Sequence, residues 1–333
     1  MSLTLRSPLD MHLHLRDDAM LESVAPYTAA QFAGAMVMPN LLPPLTTREA
    51  IDAYRERIEK ITAGIPFKPY MTLFLKEKLD MAALKELKES ILAVKLYPSG
   101  VTTNSDTGLA TIDVEGLRPT LEAMSELGIP LSIHGETNGF VMDREKEFMP
   151  IFEALAEAFP KLKVIMEHIS SKEAVDTLDK YENLYATVTV HHLLLTLDDV
   201  IGGMLKPHLF CKPIIKTPAD RDAIQKAVLS GHPKIMFGSD SAPHPKDKKE
   251  SAVGSAGIFS APVALPVLAE FFDRHGKLDL MQAFVSDNAC RIYEIIPPER
   301  TVRLEKGEWQ VPEQIGNVVP LFSGEKVGYR IID

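Results

Sequence analysis

Short apolar runs alternate with longer amphipathic stretches along most of this 333-residue chain, and that rhythm constrains the fold more than any other feature. Candidate strands cover residues 9–13, 35–38, 67–73, 93–96, 131–134, 164–167, 184–189 and 235–237. Helical spacing covers residues 48–61, 81–90, 114–127, 144–158, 172–181 and 219–229. Thr47, Asp80 and Ser171 stand where N-caps belong, and Gly128 and Gly231 where helices stop. Strands in regular alternation with helices predict an α/β fold with a parallel sheet, and eight strands close a (β/α)8 TIM barrel. A doubly wound open sheet is the rival, but no Gly-rich phosphate loop follows the first strand. The rhythm breaks between Thr189 and Thr217, in an insertion carrying His191, His192, Pro207 and Pro213. The tail from residue 297, rich in Pro, Gly and Val, is expected to be irregular or β structure packed on the barrel. Residues 1–333 therefore read as one domain with a C-terminal extension.

Charge narrows the partners. Lys and Arg total 36 against 46 Asp and Glu, a net charge of −10, so neither nucleic acid nor an anionic membrane surface would attract the chain. Cys211 and Cys290 are too few for a disulfide framework, which favours a reducing compartment. The N-terminus lacks the basic and apolar regions of an export signal. The longest uncharged run, residues 251–269, is broken by Gly254, Gly257, Pro262 and Pro266 and reads as a loop leading into a buried helix. A soluble, cytoplasmic protein is expected.

In a barrel, chemistry sits at the C-terminal ends of the strands. Those ends carry His12, His14 and Arg16, then Asn40, Lys95, His134, His168, Asp240 and His244. His12 and His14 alternate, so on a strand both imidazoles face one side and can reach one ion. Two histidines alternating on an exposed strand satisfy the same spacing, so this pair alone leaves both readings open. Taken singly, His134 and His168 read as satisfied polar residues, and Asp240 as a helix cap. Lys95 is anomalous: it ends an apolar strand and, as an ammonium, would repel a cation. A structural ion pair is the plain explanation.

Taken together, DMHLHLRD (10–17), MPNLLPPLTT (38–47), KLYPSGVTTNS (95–105), HGE (134–136), EHIS (167–170), KPHLFCKPIIK (206–216) and GSDSAPH (238–244) resemble the dihydroorotases of the amidohydrolase superfamily, in their short monofunctional bacterial type. The resemblance implies two Zn²⁺ ions per subunit. His12, His14 and Asp240 would hold one, His134 and His168 the other, and Lys95, N-carboxylated by CO₂, would bridge both as a carbamate. Two dications beside an unmodified ammonium would be costly at low dielectric, and the carbamate removes that conflict. The implied reaction interconverts N-carbamoyl-L-aspartate and L-dihydroorotate plus water, in pyrimidine biosynthesis, with Asp240 carrying the proton. Arg16, Asn40 and His244 would hold the substrate carboxylate, with His14 and His134 also at the substrate. Main-chain atoms of Lys212 and Ala256 would hold the pyrimidine edge, and Thr102 and Thr103 would ride on a mobile loop. Lys212 stands where a leucine is expected. A homodimer is implied as well.

Two rivals remain. A dihydropyrimidinase or hydantoinase would share the metals but read a ring without a carboxylate, leaving Arg16 without an anion. A non-catalytic scaffold should have lost some ligands, yet all six positions are filled. His191, His192, His208, His232 and His275 read as structural, Cys211 as a packed thiol, and Met36 and Met38 as barrel core.

Overall fold

The apolar runs become strands buried on both faces, which a parallel sheet wrapped in helices requires. In the computed structural model, which describes residues 2–332, a short strand β1 (Ser2–Arg6) precedes them. The barrel strands are β2 (Leu9–Leu13), β3 (Gly34–Val37), β4 (Lys68–Phe74), β5 (Ala93–Leu96), β6 (Leu131–Ile133), β7 (Val164–Met166), β8 (Leu184–Val188) and β9 (Ile235–Phe237). They pair in chain order and all in parallel. The ring closes just beyond β2 and β9. There the Asp240 N–H donates to the His12 carbonyl at 2.8 Å, and the His14 N–H to the Ser241 carbonyl at 3.0 Å. Asp10 reinforces this seam by accepting from the N–H and the hydroxyl of Ser239, at 2.7 and 2.6 Å. The protein is an α/β barrel of the TIM type, as the rhythm predicts.

The outer layer begins with α1 (Asp18–Ala29), α2 (Arg48–Ile61), α3 (Met81–Leu87), α4 (Arg118–Leu127), α5 (Arg144–Ala158) and α6 (Lys172–Leu178). It continues with α7 (Val190–Leu194), α8 (Leu197–Ile201), α9 (Pro218–Leu229), α10 (Lys246–Lys249), α11 (Ala264–Arg274) and α12 (Asn288–Tyr293). Thr47, Asp80 and Ser171 each accept an N–H from the first turn of their helix, and Gly128 is left-handed at φ 67°. Helix α1 is not among the helices expected from the sequence, and it carries Pro26 in its interior. The break after Thr189 holds α7 and α8. The expected strands ending at His134, Glu167 and Thr189 stop one residue earlier, where the chain turns into the site. The C-terminal tail forms β10 (Thr301–Gln310) and β11 (Lys326–Ile331), which join β1 in a three-stranded antiparallel sheet. None of the helices is long and apolar enough to cross a membrane among the described residues.

Side-chain parity decides what enters the barrel. Met36, Met38, Ala93, Ile165 and Met236 pack inward with Leu9 and Met11, and α12 supplies Ala289, Ile292 and Tyr293 to the same cluster. Val37, Val94, Leu96, Ile133 and Phe237 face the helices. On β2 the alternation changes phase: Leu9 and Met11 join the inner cluster, but Leu13 joins the outer one. A register irregularity between Asp10 and Leu13 marks the shift. It turns His12 and His14 to the inside at the strand's end.

Candidate metal centre and active site

Four buried imidazoles stand in a row above the inner core. Ring centroids of His14 and His12 are 5.3 Å apart, His12 and His168 4.8 Å, and His168 and His134 4.7 Å. Barrel parity places His134, and the phase change in β2 places His12. His168 follows Glu167 out of β7, and its positive φ of 42° brings the ring back to the site. Arg16 (φ 59°) and Asp240 (φ 41°) are left-handed too. Such conformations cost on the order of 1–3 kcal/mol each in non-glycine residues, and they gather where side-chain placement matters.

Hydrogen bonds dictate which ring atoms face inward. Nδ1 of His12 donates to Glu167 at 2.7 Å and Nδ1 of His14 donates to Asn40 Oδ1 at 2.8 Å. The Asn40 amide is itself oriented, because its NH₂ donates to the Thr103 carbonyl at 3.0 Å. Both Nε2 lone pairs are therefore free and point at Asp240, 3.6 Å from His12 and 3.1 Å from His14. Burial depresses His14 to about 4 against the pull of Asp240, so this ring is neutral at pH 7. Burial would raise the Asp240 carboxyl, but His14 and His12 outweigh it and hold it below the usual range. Two imidazole nitrogens and a carboxylate converging on one point form a donor set that could hold a metal ion. On the far side, His134 gives its Nε2–H to Glu136 at 2.7 Å and brings Nδ1 to within 3.1 Å of His168 Nε2. Burial lowers both of these histidines as well.

Lys95 has no accessible surface, and its Nζ has no hydrogen-bond partner among the described residues. The ammonium lies 4.9 Å from the Tyr97 ring centre. Burial brings its pKa down to about 8, with Glu167 and Asp240 opposing. The structural ion pair that would explain this lysine most simply is therefore not formed. An orphaned amine among buried imidazoles fits conversion to an anionic ligand.

The other expected residues gather around one cavity. Arg16, Asn40, Thr102, Thr103, Lys212 and Ala256 line it with the four histidines and Asp240. His244 stands behind Arg16, its Nε2 accepting from the guanidinium at 3.1 Å, while Arg16 Nε donates to the Pro243 carbonyl at 3.1 Å. No carboxylate pairs with Arg16 among the described residues. Thr103 closes the loop over the site, its hydroxyl reaching the Ala256 carbonyl at 3.3 Å. A wider groove on the outer face holds Arg221 and Arg274, but these already pair with Asp222 and Glu270.

Three supporting groups escaped the sequence reading. Glu167 and Glu136 orient His12 and His134, and Asp10 ties the seam. The available signal was a carboxylate beside each expected ligand in an apolar strand end. His191 and His192 cluster with Cys211. His192, however, has both ring nitrogens engaged, by Thr189 at 3.0 Å and the Pro213 carbonyl at 2.9 Å. Burial pushes the Cys211 thiol far up.

Comparison with known proteins agrees with this geometry. The amidohydrolase family model matches residues 9–296. A dihydroorotase of Helicobacter hepaticus is 45% identical over 99% of this chain and 98% of its own. The crystal structure of a Campylobacter jejuni dihydroorotase superposes with a TM-score of 0.95 at 51% identity, covering 100% of this chain and 98% of that one. A Saccharomyces cerevisiae dihydroorotase in complex with 5-fluoroorotic acid gives 0.93 at 34% identity, covering 99% and 98%.

Proposed function

The chain belongs to the amidohydrolase family, and within it to the dihydroorotases, and from that premise we propose a binuclear zinc enzyme that interconverts N-carbamoyl-L-aspartate and L-dihydroorotate plus water. His12, His14 and Asp240 would hold one ion, His134 and His168 the other, with Lys95 as a carbamate between them. The observation that carries this reading is Lys95: a buried amine without a partner, at a pKa near 8, keeps enough free base at neutral pH to add CO₂ and release a proton. Bound there, the zinc ions would supply a water with a pKa lowered to about 7 and polarisation of the scissile carbonyl.

The chain's own groups do the rest. In hydrolysis Asp240 takes the proton of the attacking water and passes it to the leaving ring nitrogen; ring closure reverses both transfers. Glu167 and Glu136 keep their imidazoles in the ligating tautomer. Arg16 receives the substrate carboxylate, and neutral His244 supports the guanidinium without adding a second positive charge. Asn40 completes that subsite once its NH₂ exchanges the Thr103 carbonyl for substrate, which couples loop movement to binding. Main-chain atoms at Lys212 and Ala256 receive the ring edge. A hydantoinase would leave the half-buried guanidinium unpaired, and a non-catalytic scaffold would leave six donor positions without a use.

Metal analysis combined with dihydroorotate hydrolysis tests the proposal. Two zinc ions per chain with turnover are expected; zinc-loaded protein preferring uncharged dihydrouracil would overturn it in favour of the hydantoinase reading. Residues 1–333 acting as one domain, a homodimer and a cytoplasmic site belong to the same proposal, supported by the family resemblance and tested by thermal unfolding, gel filtration and fractionation.

A further inference from the structure

Lys249, at the end of α10, is buried at 3% exposure, although the residues that follow it, Glu250 to Gly254, are exposed. Its Nζ donates to the carbonyls of Phe210 at 2.8 Å and Gly257 at 2.6 Å. The ammonium also lies 6.0 Å from the Phe210 ring centre. No carboxylate pairs with it among the described residues. A buried cation held by main-chain carbonyls is a costly arrangement that persists only where its surroundings require it.

Its two acceptors lie on separate stretches of chain. Phe210 precedes Lys212 by two residues, and Gly257 directly follows Ala256. The stretches also touch directly, through the Gly257 N–H donating to the Phe210 carbonyl at 2.9 Å. Gly257 cannot be replaced there: at φ 146° a side chain is strained, and a Cβ would collide with the Ala242 carbonyl and the His244 ring. The segment thus threads between Phe210 and the Ala242–His244 wall, and Lys249 fastens it after an exposed excursion.

We propose that Lys249 is a positioning residue for substrate: its ammonium fixes the main chain around Lys212 and Ala256, which receives the pyrimidine ring edge. This rests on the reading of those two residues given above. Lys249 bonds to the Phe210 and Gly257 carbonyls and not to Asp240, the proposed proton carrier, and ring-edge contacts serve ground state and transition state alike. Its loss therefore weakens binding rather than chemistry.

The test compares wild type with Lys249→Met and Lys249→Gln in the zinc-loaded enzyme. KM for dihydroorotate should rise about tenfold or more while kcat stays within about threefold, with zinc content unchanged. Amide exchange at residues 256–258 should accelerate in parallel. A purely structural lysine would lower the melting temperature and leave KM of the folded enzyme alone, and that result would overturn the proposal. Failure of both variants to fold would overturn it too, making Lys249 a determinant of the fold. Wild-type enzyme inactive on dihydroorotate would instead sink the substrate reading, and the exchange comparison would still decide the clamp.

Discussion

The Nδ1 of His12 lies 2.7 Å from Oε2 of Glu167, across the barrel from strand to strand. Glu167 also accepts from the hydroxyls of Ser132 and Thr187, the latter at 2.6 Å. Burial alone would raise this carboxyl, but His12 and Lys95 outweigh it and hold it below its ordinary range. An anion with three donors fixes the His12 ring more firmly than His12 could fix itself. Glu167→Gln keeps the volume but offers an NH₂ where an acceptor is needed. Zinc affinity, measured by chelator competition, should fall about 10–100-fold. Unchanged affinity would show that Glu167 does not orient the ligand.

Lys95→Ala removes the side chain that, in the proposed binuclear centre, would supply an anion to both ions. Bound zinc should drop and activity should fall to near background, with short carboxylic acids restoring part of it by filling the gap. Metal analysis and turnover with added acetate or propionate provide the check. A fully active Lys95→Ala enzyme would rule out the carbamate.

Much of this was legible in the sequence because barrel architecture is periodic. Strand parity follows from alternation, so Lys95, His134 and Met36 could be placed before any coordinates. Helix starts followed from Thr47, Asp80 and Ser171 because a cap is a local bond. What escaped was non-local or irregular. The phase change in β2 depends on a register fault against β3, which no spacing within residues 9–14 reveals. Glu167 and His12 are far apart in the chain, so nothing in either segment announces their bond. Helix α1 holds Pro26 in its interior, so the average penalty for proline in a helix gives no guide there and tertiary packing decides. Lys249 carries no signal in the sequence, since its acceptors are main-chain carbonyls and have no residue signature.

Arg16→Lys separates charge from shape. Lysine keeps a cation but loses the planar fork that meets a carboxylate with two parallel donors, and its contacts to Pro243 and His244 change as well. The kcat/KM for dihydroorotate should drop by on the order of 10²-fold, equivalent to ~3 kcal/mol, with zinc content unchanged. If the variant still discriminates dihydroorotate from dihydrouracil as wild type does, Arg16 is not the carboxylate clamp.

Buried neutral histidines outside the ligand set should set the acid stability. Burial depresses His191 to about 4, opposed weakly by Asp240, and both of its ring nitrogens lack partners among the described residues. Burial and the neighbouring Arg16 take His244 to about 3, and burial with His191 takes His192 well below its usual value. In the unfolded chain each imidazole titrates near 6.5. Below that pH the unfolded state binds protons that the folded state refuses, so unfolding takes up protons and stability falls as pH drops. The loss begins near pH 6.5 and, for His191, continues to about pH 4, at up to about 1.4 kcal/mol per pH unit for each such group. Above pH 6.5 these residues contribute no slope. His191→Gln removes one titrating ring without touching any proposed ligand. Denaturant unfolding between pH 4.5 and 7 should therefore show a shallower pH dependence in the variant, by close to one proton taken up on unfolding. Identical slopes for variant and wild type would mean that His191 is protonated in the folded protein, with a partner that its buried surroundings do not provide.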